Sequence, residues 1–212
     1  MRQRLLDIYQ ALFDCFGPQH WWPGETPLEI LVGAVLTQNT NWSNVSRAID
    51  NLRRAGLLSL DALVHLPTPL LAEQIRPSGY YNLKAVRLQN LLHHIAASAG
   101  SVEGYFDRRP TASLREELLA IKGIGPETAD SILLYAGNKP TFVVDAYTHR
   151  ILNRHGLVAD ESDYHELQAL FLDHLEPDVT LFNEYHALIV RTAKEFCRKS
   201  NPACDACPLK GF

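Results

Sequence analysis

The amino-acid sequence predicts an all-α protein. Apolar residues recur with the spacing of one buried helix face, as in Leu5, Ile8, Leu12 and Phe16. Glycine and proline interrupt the apolar segments where helices should end, first at Gly17-Pro18. The best strand signal is Thr141-Phe142-Val143-Val144, and four residues without a partner run do not make a sheet.

The helical pattern continues along the chain. Pro27 opens a second helix that runs to Leu36, because proline at the first helical position loses no hydrogen bond. Asn41 or Ser43 caps a third helix, which closes at Gly56. Further helices are expected at 59–65, 68–75, 82–99, 113–121, 126–136, 145–153, 164–175 and 179–196, with an irregular stretch at 100–110.

Composition limits the class of protein. A chain of 212 residues, 46% of them hydrophobic, can form one large core or two modest lobes. No segment is long and apolar enough to span a bilayer, and the first residues do not resemble a signal peptide. We therefore expect a soluble, cytoplasmic monomer without a membrane partner. The net charge of −4 argues against nucleic-acid binding by bulk positive charge, so any such binding must use local groups.

A glycine-rich turn lies between two predicted helices. Gly123-Ile124-Gly125 makes a tight hairpin after Lys122, and Pro126 starts the next helix. Backbone N–H groups at that helix start would face solvent and could bind an anion without net charge. Ile121 and Ile124 are expected to be buried. An ordinary corner between two helices is an equally open interpretation.

Asp145 follows the apolar run and begins a helix. The simplest interpretation is an N-cap. An aspartate held by backbone amides stays ionised, and beside a flipped nucleotide it could stabilise an oxocarbenium-like sugar and orient water. The two roles are compatible.

Four segments, in order, resemble the endonuclease III family of helix-hairpin-helix DNA glycosylases. The hairpin segment 121–130 is followed by Asp145, eighteen residues after Glu127. Segment 36–40 resembles the family's glutamine-bearing segment near the DNA gap, and segment 79–85 resembles its intercalating loop. The C-terminal cysteines resemble its iron–sulfur loop. The resemblance covers roughly residues 27–212.

This resemblance implies two helical lobes with a DNA-binding cleft between them. One lobe would span 22–135, including the hairpin at 113–136, and the other would combine 1–21 with 136–212 and its cysteine loop. The partner would be double-stranded DNA with a damaged base, in a prokaryote-like nucleoid. Gln38 would fill the space left by the flipped base, and Tyr80 would wedge into the stack. A polar helix cap and a surface tyrosine remain the alternatives.

One position departs from the bifunctional members of the family. They carry a lysine where this chain has Glu127, and that amine attacks C1′ to form the Schiff base that permits strand cleavage. A glutamate cannot do this, so a monofunctional enzyme that leaves an abasic site is expected. Glu127 either takes part in the chemistry or occupies a favourable helix start. Lys122 is a phosphate contact or a solvated residue.

The aromatic residues resemble those of the 3-methyladenine DNA glycosylase III branch. That branch implies a base pocket formed by Trp21, Trp22, Trp42 and Tyr147. Alkylated purines carry a positive charge, which aromatic faces bind well. A helix staple for the Trp21-Trp22 pair and a core position for Trp42 stay open.

Three cysteines crowd the C-terminus at Cys197, Cys204 and Cys207, a clustering that predicts a metal site before disulfides. The family resemblance implies a structural 4Fe–4S cluster. Its fourth cysteine would stand at position 213, beyond the given residues, and Cys15 lies far away in the opening helix. A metal-free tail remains open, since the branch includes members without a cluster.

Two alternative functions remain. An endonuclease III-like glycosylase and AP lyase for oxidised pyrimidines would need another amine. A non-catalytic protein that binds DNA structures is disfavoured by the negative net charge.

Overall fold

A computed structural model describes residues 1–107 and 109–212. Those residues contain no β-strand, which confirms the predicted all-α class. Their twelve α-helices are α1 (Arg2–Phe16), α2 (Pro27–Leu36), α3 (Trp42–Arg54), α4 (Leu60–His65), α5 (Thr68–Gln74), α6 (Tyr81–Ala99), α7 (Val102–Phe106), α8 (Thr111–Ala120), α9 (Pro126–Ser131), α10 (Ala146–Arg154), α11 (Tyr164–Leu172) and α12 (Val179–Glu195).

Local capping explains several helix boundaries. The Thr26 hydroxyl accepts from the Glu29 amide and Pro27 follows as the first helical residue, so α2 begins where predicted. Asn41, rather than Ser43, caps α3 by accepting from the Asn44 amide. Because these signals lie within a few residues of each helix start, they can be recognised without any tertiary contact.

The prediction of an irregular stretch at 100–110 was wrong in part. Ser101 caps the short helix α7, and the buried rings of Tyr105 and Phe106 hold it in place. Helix α9 continues directly into a π-helical turn at Ile132–Ala136. Helix α11 ends at Leu172, three residues before the predicted end.

The chain divides into two compact units. The terminal unit combines Met1–Trp22 with Pro140–Phe212, and the central unit is Pro23–Lys139. The core of the central unit draws on α2 to α9, and α2 contributes six of its buried aliphatic side chains: Leu28, Leu31, Val32, Ala34, Val35 and Leu36. Near-complete burial explains why α2 carries few polar residues.

An aromatic cluster stabilises the terminal unit. Phe142 stacks on Phe171 with ring centroids 3.7 Å apart, and Phe182 and Tyr185 meet Phe142 edge-on. The run 141–144 is extended and buried, without forming a strand. This anchored run leads directly into Asp145 and therefore positions it.

No helix in the described ranges is long and apolar enough to cross a membrane.

Candidate active site and nucleic-acid interface

Asp145 is the N-cap of α10 and its carboxylate is held tightly. Its Oδ1 accepts from the Tyr147 amide at 2.9 Å, the Thr148 amide at 2.8 Å and the Thr148 hydroxyl at 3.0 Å. Three donors on one oxygen fix the orientation of the carboxylate and favour its charged form. Oδ2 does not take part in these three bonds.

His186 was missed by sequence reasoning. It lies on α12, is 5% exposed, and places Nε2 3.6 Å from Oδ2 of Asp145. The available sequence signal was a polar residue within the apolar stretch of α12. Such a residue is more often a satisfied core histidine than a functional one, so the signal alone could not identify it.

The environment of Asp145 lowers its pKa. Burial acts in the opposite direction and raises the pKa, but the nearby His186, whose Nε2 lies 3.6 Å from Oδ2, lowers it, as do the two donors of Thr148. The net pKa lies below the usual value for aspartate. Asp145 is therefore an anion at neutral pH inside a mostly apolar unit.

Tyr147 and the tryptophan pair also lie in the terminal unit. The Tyr147 ring faces two protein cations, with the Arg150 guanidinium 5.1 Å and the Lys194 ammonium 6.0 Å from its centroid. A cationic base would have to compete with both for this ring. Trp21 and Trp22 meet edge-to-face with centroids 5.6 Å apart. The indole Nε1 of Trp21 is buried and finds no acceptor in the described part of the chain, so a bound molecule could supply one.

In the central unit, the hairpin is shaped by Gly123. Its φ of +100° lies in a region that disfavours side chains, and an added Cβ would stand 2.3 Å from Cγ of Arg87. The prediction that Ile121 and Ile124 are buried is confirmed, with 8% and 5% exposure. Gly125 has an ordinary φ of −94° as N-cap of α9. Of the two glycines, Gly123 is therefore the one with the positive φ, and Arg87 packs against its backbone.

Gln38 is bound to this hairpin. Its Nε2 donates to the Gly123 carbonyl at 3.2 Å and to the Thr128 hydroxyl at 3.0 Å, while its Oε1 accepts from Arg87 at 2.6 Å. Its amide already has these protein partners, so contact with an orphan base would require exchanging them. The next residue, Asn39, is exposed and has a φ of +52°. The exposed tip of the predicted glutamine segment is thus Asn39.

Tyr80 stands out from the surface of the central unit. It is 72% exposed with a φ of +45°, directly after Gly79 at +68°. Below it, the buried Lys84 ammonium donates to the Ser78 carbonyl at 2.7 Å and to the Leu36 carbonyl at 2.8 Å. Lys84 therefore joins the base of the Tyr80 loop to the end of α2, two residues before Gln38.

The remaining predicted residues occupy the surface and edge of the central unit. Lys122 and Glu127 are exposed, Lys122 on the hairpin and Glu127 in the first turn of α9. Trp42 is partly buried and packs against the hydrophobic core. This packing favours the core interpretation of Trp42 over a place in a base pocket.

The cysteines do not form a metal-ligand set. Cys197 is buried and its sulfur accepts from Arg154 at 3.3 Å, whereas Cys204 is exposed. Burial raises the pKa of the Cys207 thiol, and the charges of Cys197, Cys204 and also Cys15 contribute. Among the residues described, no group of three or more histidine, cysteine or acidic side chains is placed to hold a metal ion. The expected cluster therefore stays a prediction.

Comparisons with known proteins agree on one superfamily. A family model described as HhH-GPD superfamily base excision DNA repair protein matches residues 32–177. A protein of Methanocaldococcus jannaschii, named as a DNA repair glycosylase, is 47% identical over 211 residues, covering 99% of the chain and 96% of that relative. Endonuclease III of Thermotoga maritima is 31% identical over 184 residues, covering 87% of the chain and 81% of that relative.

Solved structures show the same fold. The 3-methyladenine DNA glycosylase of H. pylori, bound to 1,N6-ethenoadenine, is 34% identical with a TM-score of 0.78, covering 90% of the chain and 97% of that structure. An endonuclease III trapped covalently on DNA has a TM-score of 0.82 at 20% identity, covering 99% of the chain and 93% of that structure.

Proposed function

The chain belongs to the HhH-GPD superfamily of base excision DNA repair proteins, and we propose that it hydrolyses the N-glycosidic bond of an alkylated purine without cutting the strand. The observation that carries the proposal is the carboxylate of Asp145. One oxygen is fixed by three donors, the other remains available for chemistry, and the group stays ionised. Such a carboxylate suits a reaction that develops positive charge on a sugar.

The chemistry then follows from charge. As the C1′–N bond breaks, its electron pair leaves with the base, and an alkylated purine that carried a positive charge departs as a neutral molecule. The sugar becomes an oxocarbenium-like cation, which the Asp145 anion stabilises. A water molecule attacks C1′ and loses a proton to Oδ2, so the products are a free base and an abasic strand.

We expect no strand cleavage because Glu127 stands where a lysine would be needed. A Schiff base needs an amine at C1′, and a carboxylate cannot form one. Lys122 lies on the other side of the hairpin turn, where its exposed ammonium suits a DNA phosphate. We assign a structural role to Glu127, because an acidic side chain in the first turn of α9 stabilises the helix.

The selectivity for a cationic purine rests on the Trp21-Trp22 pair. Indole faces attract flat cations, and the buried Nε1 of Trp21 offers a donor to a base atom. Tyr147, already facing two cations, is assigned a supporting role. The similarity to the H. pylori 3-methyladenine DNA glycosylase agrees with this substrate class.

DNA would be held and probed by the central unit. The hairpin Gly123-Ile124-Gly125 would bind phosphate through the amides beside Ile124, whose own amide donates to the Ile121 carbonyl at 3.0 Å, and the protruding Tyr80 would enter the base stack. We propose that the turn containing Gln38 fills the space left by the flipped base. Gln38 holds this turn against the hairpin, and Asn39 lies at its exposed tip.

Base release tests the proposal. Duplex DNA treated with a methylating agent and a duplex that contains one thymine glycol are incubated with the protein, and the released bases are separated by chromatography. We expect free 3-methyladenine or 7-methylguanine and an uncut abasic strand. Release from thymine glycol with a nicked strand and a borohydride-trapped adduct would instead establish a bifunctional enzyme for oxidised pyrimidines.

A further inference from the structure

We propose that His186 is a positioning residue that holds Oδ2 of Asp145 ionised and aimed at the reacting sugar. The inference rests on the proposed glycosylase chemistry. It starts from the distance of 3.6 Å between His186 Nε2 and Oδ2 of a carboxylate whose Oδ1 already accepts three donors. Oδ1 is thereby held by the first turn of α10, and Oδ2 faces a ring nitrogen on α12.

The rigidity of both helices gives this contact its directional effect. Oδ1 is tied to the first turn of α10, so rotation of the carboxylate group would break three hydrogen bonds. His186 is buried on α12, whose neighbouring residue Tyr185 donates its hydroxyl to the Leu5 carbonyl at 2.8 Å. Neither partner can move far without disturbing a packed helix. Oδ2 therefore keeps one direction, as a group that must meet a short-lived cation requires.

The contact also has an electrostatic effect. Burial alone would raise the pKa of Asp145 and favour the neutral acid, which could not stabilise a sugar cation. His186 opposes this effect from the side of Oδ2, and Thr148 opposes it from the side of Oδ1. An apolar side chain in place of His186 would leave burial opposed only by the donors on Oδ1, from Tyr147 and Thr148.

Charged groups on the helices packed against α12 make contacts elsewhere. On α10, Arg150 donates to the carbonyls of Cys197 and Ala193. On α1, the Tyr9 ring lies 5.3 Å from that of Tyr185. The pKa of Tyr9 is raised by burial and by the charges of Glu184 and Asp178.

On α12 itself, Arg191 pairs with Glu195, and Lys194 lies over the Tyr147 ring. None of these groups is among the causes of the lowered pKa of Asp145, which include His186 and Thr148.

Substitutions of His186 separate positioning from simple packing. His186→Leu fills the volume without a donor, and His186→Asn keeps a donor without a chargeable ring. Tyr185→Phe is the matched control, because it removes a buried hydrogen bond one residue away. Single-turnover release of 3-methyladenine from methylated duplex is measured from acidic to neutral pH.

We expect His186→Leu to slow release about tenfold and to move the acid limb of the pH profile upward, since loss of His186 raises the pKa of Asp145. His186→Asn should recover much of the rate. Tyr185→Phe should lower stability and leave the acid limb where it is. An unchanged acid limb in His186→Leu, or an equal upward movement in Tyr185→Phe, would overturn the inference.

A stability cycle tests the same contact without catalysis. Unfolding free energies of the wild type, His186→Leu, Asp145→Asn and the double variant give the coupling between the two side chains. Favourable coupling that weakens when acid protonates Asp145 is expected. If the wild type releases no alkylated purine but this coupling is present, the proposed function fails and the contact stands. If release occurs and the coupling is absent, the inference about His186 fails alone.

Discussion

Replacing Lys84 with methionine tests whether a buried ammonium group joins two segments of the central unit that we propose to contact DNA. Lys84 is 2% exposed, and its Nζ bridges the carbonyls of Leu36 and Ser78. Methionine has nearly the same length and no donor, so both carbonyls lose a charged partner. The Tyr80 loop and the end of α2 would then be joined by packing alone.

The magnitude follows from two opposing terms. Each lost hydrogen bond to a charged group is worth about 1.5–3 kcal/mol, but the variant also avoids burying an ammonium ion. Burial, helped by the charge of Arg87, lowers the pKa of Lys84 from 10.5 to about 8, a difference that corresponds to about 3 kcal/mol. The two terms nearly offset each other at neutral pH, and we expect a net destabilisation of about 1–2 kcal/mol there.

The pH dependence gives the sharper result. Because the pKa of Lys84 is lower in the folded state than in the unfolded state, the unfolded chain binds more protons between about pH 8 and 10.5. The contribution of Lys84 to stability therefore rises across that window, and below it the ammonium is charged in both states. The free energy of unfolding of the wild type should increase relative to that of Lys84→Met by up to about 3 kcal/mol as the pH rises.

Urea unfolding at several pH values measures this difference. The exposed Lys199, changed to methionine in the same way, serves as the control and should follow the wild type. A constant difference between wild type and Lys84→Met from neutral to alkaline pH would refute a depressed lysine pKa. An unchanged rate of base release in Lys84→Met would show that base release does not require the Lys84 bridge between the Tyr80 loop and the end of α2.

Three further predictions concern the same framework. Asp145→Asn keeps the N-cap but loses a charge whose pKa is lowered in the folded protein, so thermal stability should fall slightly while single-turnover base release falls by about 100-fold or more. Gly123→Ala should destabilise the protein by about 2 kcal/mol in denaturant unfolding, because its φ of +100° disfavours a side chain, while Gly125→Ala, with open space for a Cβ, should be nearly neutral. Asp130→Asn should cost about 3 kcal/mol, since the fully buried carboxylate binds Arg115 at 2.9 and 3.0 Å; a loss under 1 kcal/mol would contradict a structural ion pair.

Several local features were predictable from the chain itself. Pro27, Asn41 and Asp145 each mark a helix start, because a cap or a helix-initiating proline acts on amides two or three residues away. Helix α7 was not predictable in this way. Its five residues contain Gly104, and burial of Tyr105 and Phe106 stabilises a segment too short to hold alone.

The helical class, the glycine turn and the position of Asp145 could be predicted from the chain, because they depend on spacing and on neighbouring residues. Which side chains meet across helices depends on how the helices pack. This packing brought His186 to Asp145 over 41 positions of sequence, and Gln38 to Gly123 over 85. It also turned Tyr147 toward two cations. These contacts depend on which faces of separate helices pack together, and sequence periodicity defines a buried face without naming its partner.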